Sequence, residues 1–373
     1  MFHALAIVCE FYFVPSLEKV SENLHLSQDV AGATFMAAGS SAPELFTSLI
    51  GVFITKGDVG VGTIVGSAVF NILVIIGLCG IFSGQTISLS WWPLFRDAVF
   101  YILSIVVLIT VIYDEKVMWW ETIILISMYG IYITIMKFNG PLCRLAERHF
   151  TRAVCVSLLN VYHKLEPPRN CFRDLYIEEC VFESGWCMRL KWLLSWPLSV
   201  LLHFTIPNCA RPRWERWYLL TFLSSTLWIA IYSYLMVWMV TIISYTLGIP
   251  EVIMGITFLA AGTSVPDCMA SLIVARQGMG DMAVSNSIGS NIFDVLLGLG
   301  FPWALRTLIV SYGSVVTINS KGLVYSVILL LASVILTVMC VHLNSWRLDR
   351  RLGLCLILFY AIFLLCSVGF ERL

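Results

Sequence analysis

Charge is what this chain has least of. Only 12% of its 373 residues are Asp, Glu, Lys or Arg, with 23 acids matched by 23 bases. Soluble domains carry about 25% charged residues, and 59% of this chain is hydrophobic. A soluble globular class is excluded, and the neutral balance suggests no nucleic-acid partner. Histidine is rare, and the 12 cysteines include no CxxC pair. The cysteines of the apolar segments therefore read as small buried hydrophobes rather than zinc or redox groups. Cys143, Cys155, Cys171, Cys180 and Cys187 also lack metal spacing, which leaves chance or palmitoylation. There is no recognisable signal peptide. The opening run MFHALAIVCEFYFV is about 14 residues, short of the roughly 20 a span needs, so a partial first helix is expected.

Long apolar runs dominate what is present. They lie near 30–54, 59–82, 97–113, 118–138, 190–206, 217–247, 252–275, 283–305, 322–343 and 353–370. Each is read as a helix, because backbone in lipid must satisfy its own hydrogen bonds. Trp91–Trp92, Trp119–Trp120 and the tryptophans of 186–196 mark segment ends, as interfacial aromatics do. The polar segment 139–189 holds Arg144, Arg148, Arg152, Lys164, Arg169 and Arg173, so it is expected in the cytoplasm. Counting back from it places Lys19 inside and Lys56 outside. The run 190–206 is expected to be re-entrant or interfacial. This divides the chain into an N-terminal half 1–138, a cytoplasmic loop 139–189 and a C-terminal half 190–373.

The halves are copies. Residues 32–77 lie over 255–300 without a gap, at an offset of 223, and 19 of the 46 positions are identical. "GATFMAAGSSAPELFTSLI" stands over "GITFLAAGTSVPDCMASLI", and "GSAVFN" over "GSNIFD". Duplicated membrane units with special residues in mid-span meet at a central binding site in transporters. Five helices per half is an odd number, so the second copy enters upside down. The expected fold is an all-α multi-pass membrane protein of two inverted repeats, about five transmembrane helices each.

Val30–Ile54 contains one charge, Glu44, and the offset carries it onto Asp267. A mid-membrane charge costs roughly 3 kcal/mol on insertion scales and is rarely idle. Ser40 and Ser41 precede Glu44 by four and three positions, as Thr263 and Ser264 precede Asp267, which puts each set on one helix face. Pro43 and Pro266, with Gly39 and Gly262, weaken the helix and are expected to free carbonyls such as those of Ala37 and Ala260. In the second helix of each copy Ser67 pairs with Asn71, and Ser290 with Asp294. Everything offered is a hard oxygen donor, and no His lies in either repeat, so calcium or alkali cations fit better than zinc or copper. Glu44, Asp267 and Asp294 bring up to three negative charges. One Ca²⁺ leaves about one uncompensated, which a monovalent cation would balance.

At these residues the sequence resembles the potassium-dependent sodium/calcium exchangers of the cation/calcium exchanger superfamily. The motifs "GSSAPELFTSLIGVF" and "GTSVPDCMASLIVARQGMGDMAVSNSIGSNIFD" carry the match, the second being most like isoforms three and four. The resemblance implies a sodium/calcium-exchanger-type fold and antiport, with Na⁺ entry driving export of Ca²⁺ and K⁺. It makes Glu44 and Asp267 central calcium and sodium ligands, with Ser40, Ser41, Thr263 and Ser264 around them. Ser67, Asn71, Ser290 and Asp294 would line neighbouring sodium and potassium positions. The expected partners are the three ions and the bilayer, a homodimer being compatible, with no cofactor and no covalent chemistry. The plasma membrane is the expected location, an intracellular membrane the alternative. The family's N-terminal extension and full first helix are not seen in this sequence, and segment 139–189 looks shorter than usual.

Several blander readings stand beside this one. Gly39, Gly66, Gly262 and Gly289 read as packing positions, and Asp58 and Asp281 as helix caps. Arg96, Asp97, Asp114, Glu115 and Glu121 read as solvated interfacial charges, and Arg347–Arg351 as a juxtamembrane cluster. The pairs YD at 113–114 and GMGD at 278–281 mimic intramembrane aspartyl proteases, but they fall at segment ends and no PAL motif accompanies them. A sodium- or proton-coupled calcium exchanger without potassium dependence, or a calcium channel, is the transport alternative. The charge count makes one prediction. Asp294→Asn should remove the dependence of calcium flux on external K⁺, and radiocalcium uptake into vesicles with wild-type K⁺ dependence would count against it.

Overall fold

The computed structural model describes residues 2–24, 28–41, 44–45, 48–49, 51–55, 59–83, 86–139, 186–207, 209, 217–247, 260–310, 313, 315–317 and 321–372. Helix α1 covers residues 2–24 and α2 residues 28–40. After the wide turn Gly51–Thr55 come α3 (59–82), β1 (Ile87–Ser88), α4 (Trp91–Ile112), β2 (Lys116–Val117) and α5 (Trp119–Lys137). The later elements are α6 (Trp186–Thr205), α7 (Tyr218–Leu247), α8 (Ala260–Thr263), α9 (Val265–Arg276) and α10 (280–310). β3 (Val316–Thr317), α11 (Lys321–Leu343), β4 (Arg347–Leu348) and α12 (Arg350–Arg372) complete the order. Among the described residues, five helices are long and apolar enough to cross a membrane.

The chain forms two units, Phe138–Leu202 and the rest. The smaller one contains most of α6, a continuous 20-residue helix through Pro197. The larger contains both repeats. Helix α1 runs on to Leu24, beyond the apolar opening, and Phe13 stacks on Phe222 of α7 with ring centroids 5.6 Å apart.

Two short antiparallel clips fix the direction of the helices. Ile87 pairs with Leu348 and Ser88 with Arg347, while Lys116 pairs with Thr317 and Val117 with Val316. Helix α3 ends towards the β1–β4 clip, whereas α10, its copy, starts there. The carboxylate of Asp281 accepts from Ser90 N at 2.7 Å and Ser90 Oγ at 2.6 Å. α10 then ends towards β3. In the same way α4 runs from β1 to β2 and α11 from β3 to β4, so both of these equivalent pairs are antiparallel. The copies also exchange partners: α10 packs on α2, α4 and α5, and α3 on α8, α11 and α12.

Small residues permit this closeness. A Cβ on Gly289 would stand 2.7 Å from the Ala33 backbone, and one on Gly353 2.5 Å from the carbonyl of Gly77. The outer faces of α4, α11 and α12 carry exposed Val99, Leu103 and Val106, Ile328, Ile335 and Met339, and Leu354, Leu358 and Leu365. That stripe spacing suits lipid rather than water.

Three charge readings need correction. Arg96, Asp97 and Glu121 are buried, at 7%, 0% and 6% exposure. Arg96 donates to Asp97 at 2.8 and 3.0 Å, and Asp97 also accepts from Ser285 at 3.1 Å and Tyr132 at 3.4 Å. A neutral, fully bonded pair is tolerated where a lone charge is not. Asp281 does not cap its own helix; it ties α10 to the turn before α4. Asp58 lies outside the described residues.

Gly289→Val should lower the thermal stability of purified protein by about 1–3 kcal/mol through overpacking. Gly62 has no atom within 4 Å of an added Cβ, so Gly62→Ala should leave stability equal or slightly higher. Equal melting curves for Gly289→Val and the parent would refute the close approach.

Candidate cation site

Both repeats break at the same place. Ser41 ends α2 with φ −86° and ψ 5°, and Ser264 separates α8 from α9 with φ −80° and ψ 2°. These bridge-region conformations interrupt a helix without reversing it. The hydrogen bonds match across the copies: Ser41 N to Ala37 O is 2.9 Å and Ser264 N to Ala260 O is 3.2 Å. Leu45 N to Ser41 O (3.2 Å) corresponds to Cys268 N to Ser264 O (2.9 Å). The Ala37 and Ala260 carbonyls are thus occupied, not freed, and each also accepts from a side-chain hydroxyl, Ser40 Oγ at 3.4 Å and Thr263 Oγ1 at 3.3 Å. Proline lacks an N–H, so the carbonyl deprived of its regular donor is four residues back: Gly262 for Pro266, with Gly39 at the matching spacing from Pro43.

All twelve candidate residues are buried at 0% exposure: Ala37, Ser40, Ser41, Glu44, Ser67, Asn71, Ala260, Thr263, Ser264, Asp267, Ser290 and Asp294. Asn71 is the hub. Its Nδ2 lies 3.0 Å from Asp267 Oδ2, 3.4 Å from Ser290 Oγ and 3.0 Å from Asn291 Oδ1. Glu44 stands within electrostatic reach of Asp294 and Asp267. The hydroxyls cross over reciprocally, Ser40 lying beside Asp267 and its equivalent Thr263 beside Glu44. Ser41 lies beside Asp294. Ser67 stays on its own helix, donating to Ile64 O at 3.0 Å.

Proton placement decides what these groups can bind. Ser40 donates to Met36 O at 2.8 Å, Thr263 to Ala260 O at 3.3 Å and Ser290 to Ser287 O at 3.2 Å. With their protons on backbone carbonyls, these hydroxyls present lone pairs. Five carboxylate oxygens have no hydrogen-bond partner: both of Glu44, both of Asp294 and Oδ1 of Asp267. Ser41 Oγ, Ser264 Oγ and Asn71 Oδ1 are also unpaired. Buried polar atoms are almost always satisfied, so this is a concentration of acceptors in need of a cation. Among the described residues no three His, Cys, Asp or Glu side chains gather into one compact metal cluster. The acids are spaced by hydroxyl and amide groups, an arrangement for hard ions held loosely enough to leave.

Two features were missed in the sequence. Asn71 and Asp294 each open a wide π-helical turn, Asn71–Ile75 and Asp294–Leu299, at equivalent positions. Such turns recur at functional sites. The other is Asn291, which accepts from Asn71 and donates to Ala68 O at 3.2 Å. Ala68 is the repeat equivalent of Asn291, so the pseudo-two-fold axis passes between them. The mismatch of Asn over Ala was the available signal.

Fold and site together define a cation transporter of two inverted repeats. The family model described as sodium/calcium exchanger protein matches residues 1–138 and 217–369. The chain is 49% identical to human sodium/potassium/calcium exchanger 3, over all of this chain and 79% of that protein. It is 48% identical to mouse sodium/potassium/calcium exchanger 4, over all of this chain and 80% of that one. A solved structure of the sodium-calcium exchanger NCX_Mj superposes with a TM-score of 0.61 at 20% identity, covering 97% of this chain and 95% of that one. The chain belongs to the sodium/calcium exchanger family, among the sodium/potassium/calcium exchangers.

Asn291→Ala removes both the acceptor that holds Asn71 and the donor to Ala68 O. The calcium concentration for half-maximal flux should rise about tenfold, the scale of one unsatisfied buried group. An unchanged value at matched expression would remove Asn291 from the site.

Proposed function

We propose that this chain is a potassium-dependent sodium/calcium antiporter, exporting Ca²⁺ together with K⁺ in exchange for Na⁺ by alternating access at its mid-membrane acidic centre. The observation that carries the reading is the set of unpaired carboxylate oxygens of Glu44, Asp267 and Asp294, buried where two inverted helix breaks meet. Glu44 and Asp267 hold Ca²⁺ or Na⁺, with Ser40, Ser41, Thr263, Ser264 and the carbonyls of Ala37 and Ala260 completing the oxygen shell. Asp294, with Asn71, Ser67 and Ser290 nearby, supplies the extra negative charge that takes K⁺. The names of its relatives supply the same three ions.

The physical step is exchange of two cation loads, without covalent chemistry. An uncompensated acidic centre is costly to enclose in a low-dielectric span. Either load neutralises it, and the protein can then close on one face and open on the other. An exporter driven by Na⁺ entry works where the sodium gradient stands, so we place it in the plasma membrane.

Glu44→Gln or Asp267→Asn should abolish sodium-driven calcium flux while surface expression persists. Radiocalcium uptake into vesicles, with Na⁺ and K⁺ varied independently, reads this directly. Normal flux from either variant would refute the site. Steady flux that ignores the sodium gradient would favour a channel.

A further inference from the structure

Helix α10 carries polar side chains turn after turn from its Gly280 end to the centre: Asn286 and Ser287, then Ser290 and Asn291, then Asp294. The cation centre uses the last two levels. Asn286 and Ser287 lie one turn, about 6 Å, nearer the β1–β4 face. There they meet Ser271 of α9, which stands one turn beyond Asp267 on the same side. Asn286 Nδ2 donates to Ser271 Oγ at 2.8 Å, and Ser271 Oγ and Ser287 Oγ are 3.5 Å apart. Ser287 donates its proton to Ala283 O at 3.1 Å. Ser271 and Asn286 are 0% exposed, as is Ser287. Asn286 Oδ1 has no hydrogen-bond partner.

We infer that Ser271, Asn286 and Ser287 form a waypoint for one dehydrated monovalent alkali cation, Na⁺ or K⁺, between the β1–β4 face and the acidic centre. The inference rests on the antiport reading. All the donors are neutral oxygens, which suits a single charge, and no carboxylate stands among them to hold Ca²⁺. The unpaired amide oxygen is the group a merely structural cluster would have satisfied.

The waypoint is one-sided. At the mirrored positions stand Ser48, Thr63 and Ile64. A hydroxyl replaces the amide oxygen and a hydrocarbon replaces the second serine. The path to the β2–β3 face therefore lacks this donor set.

The test uses the full chain in proteoliposomes, with Na⁺ or K⁺ varied at one face at a time and radiocalcium flux as readout. Ser287→Ile, which installs the mirrored residue, should raise the half-saturating concentration of one alkali ion about tenfold at the β1–β4 face, the effect of one lost ligand. The value at the other face should hold. Asn286→Asp should lower it at the same face. The ion whose value moves identifies the occupant. Equal shifts at both faces would make the cluster interhelical glue acting through the centre, and no shift at either would remove the waypoint; both overturn the inference. If Ser287→Ile does not fold, Asn286→Thr is measured against the same two outcomes. Absence of sodium-driven flux from the parent protein would refute the antiport reading instead, and is seen before any variant is scored.

Discussion

Carboxylates buried in a membrane must be neutralised by something. Among the described residues neither lysine nor arginine acts on the centre to do it. Glu44, Asp267 and Asp294 are fully buried, and most of their oxygens accept no hydrogen bond. The Arg96–Asp97 pair shows what this fold does with a charge it wants silent: it supplies a bidentate partner, a hydroxyl and a phenol. The contrast separates a structural charge from a transport charge. One is satisfied by the protein; the other, on the function proposed above, is left for the cargo.

The rest of the architecture follows from holding those oxygens without a permanent counter-charge. The acids must approach from different segments, so the helices that carry them have to come close. Gly289 against Ala33 and Gly353 against Gly77 provide that closeness. The helices must also break, because a regular helix presents no room and few free oxygens. Pro266 stands at the break in the second copy, and the backbones of Ser41 and Ser264 accommodate the two breaks alike. Exchange of partners between the copies then brings Ser40 to Asp267, Thr263 to Glu44 and Ser41 to Asp294.

Much of this was legible in the sequence, because periodicity and duplication act over long stretches. Apolar runs gave most of the later helices to within a few residues, though α1 runs well past its apolar opening, and an ungapped offset marked residues that prove to be buried. What escaped reading depends on partners far along the chain. Arg96 and Asp97 look interfacial in a local window, since Tyr132 and Ser285 neutralise their cost from distant helices. The π-turns at Asn71 and Asp294 have no composition signature. The carbonyls were miscounted by two residues: proline deprives the group four positions back, which is Gly262 rather than Ala260. Asn291 was hidden by the alignment itself, because a comparison that rewards identity passes over Asn against Ala.

Those mismatches bear on mechanism. Perfectly matched inverted copies would offer equivalent paths to both faces and a centre with no directional preference. In this chain the backbone keeps the symmetry, down to paired breaks and paired clips, while the side chains depart from it at a few levels of one helix. Asp294 stands over Asn71, Asn291 over Ala68, Ser287 over Ile64 and Asn286 over Thr63. Every departure places the more polar member on α10. A symmetric scaffold supplies two interchangeable gates, and an asymmetric lining makes the ions meet different chemistry at each. The fold suits alternation, and on the reading proposed above the sequence differences between its halves decide which ions wait on which side.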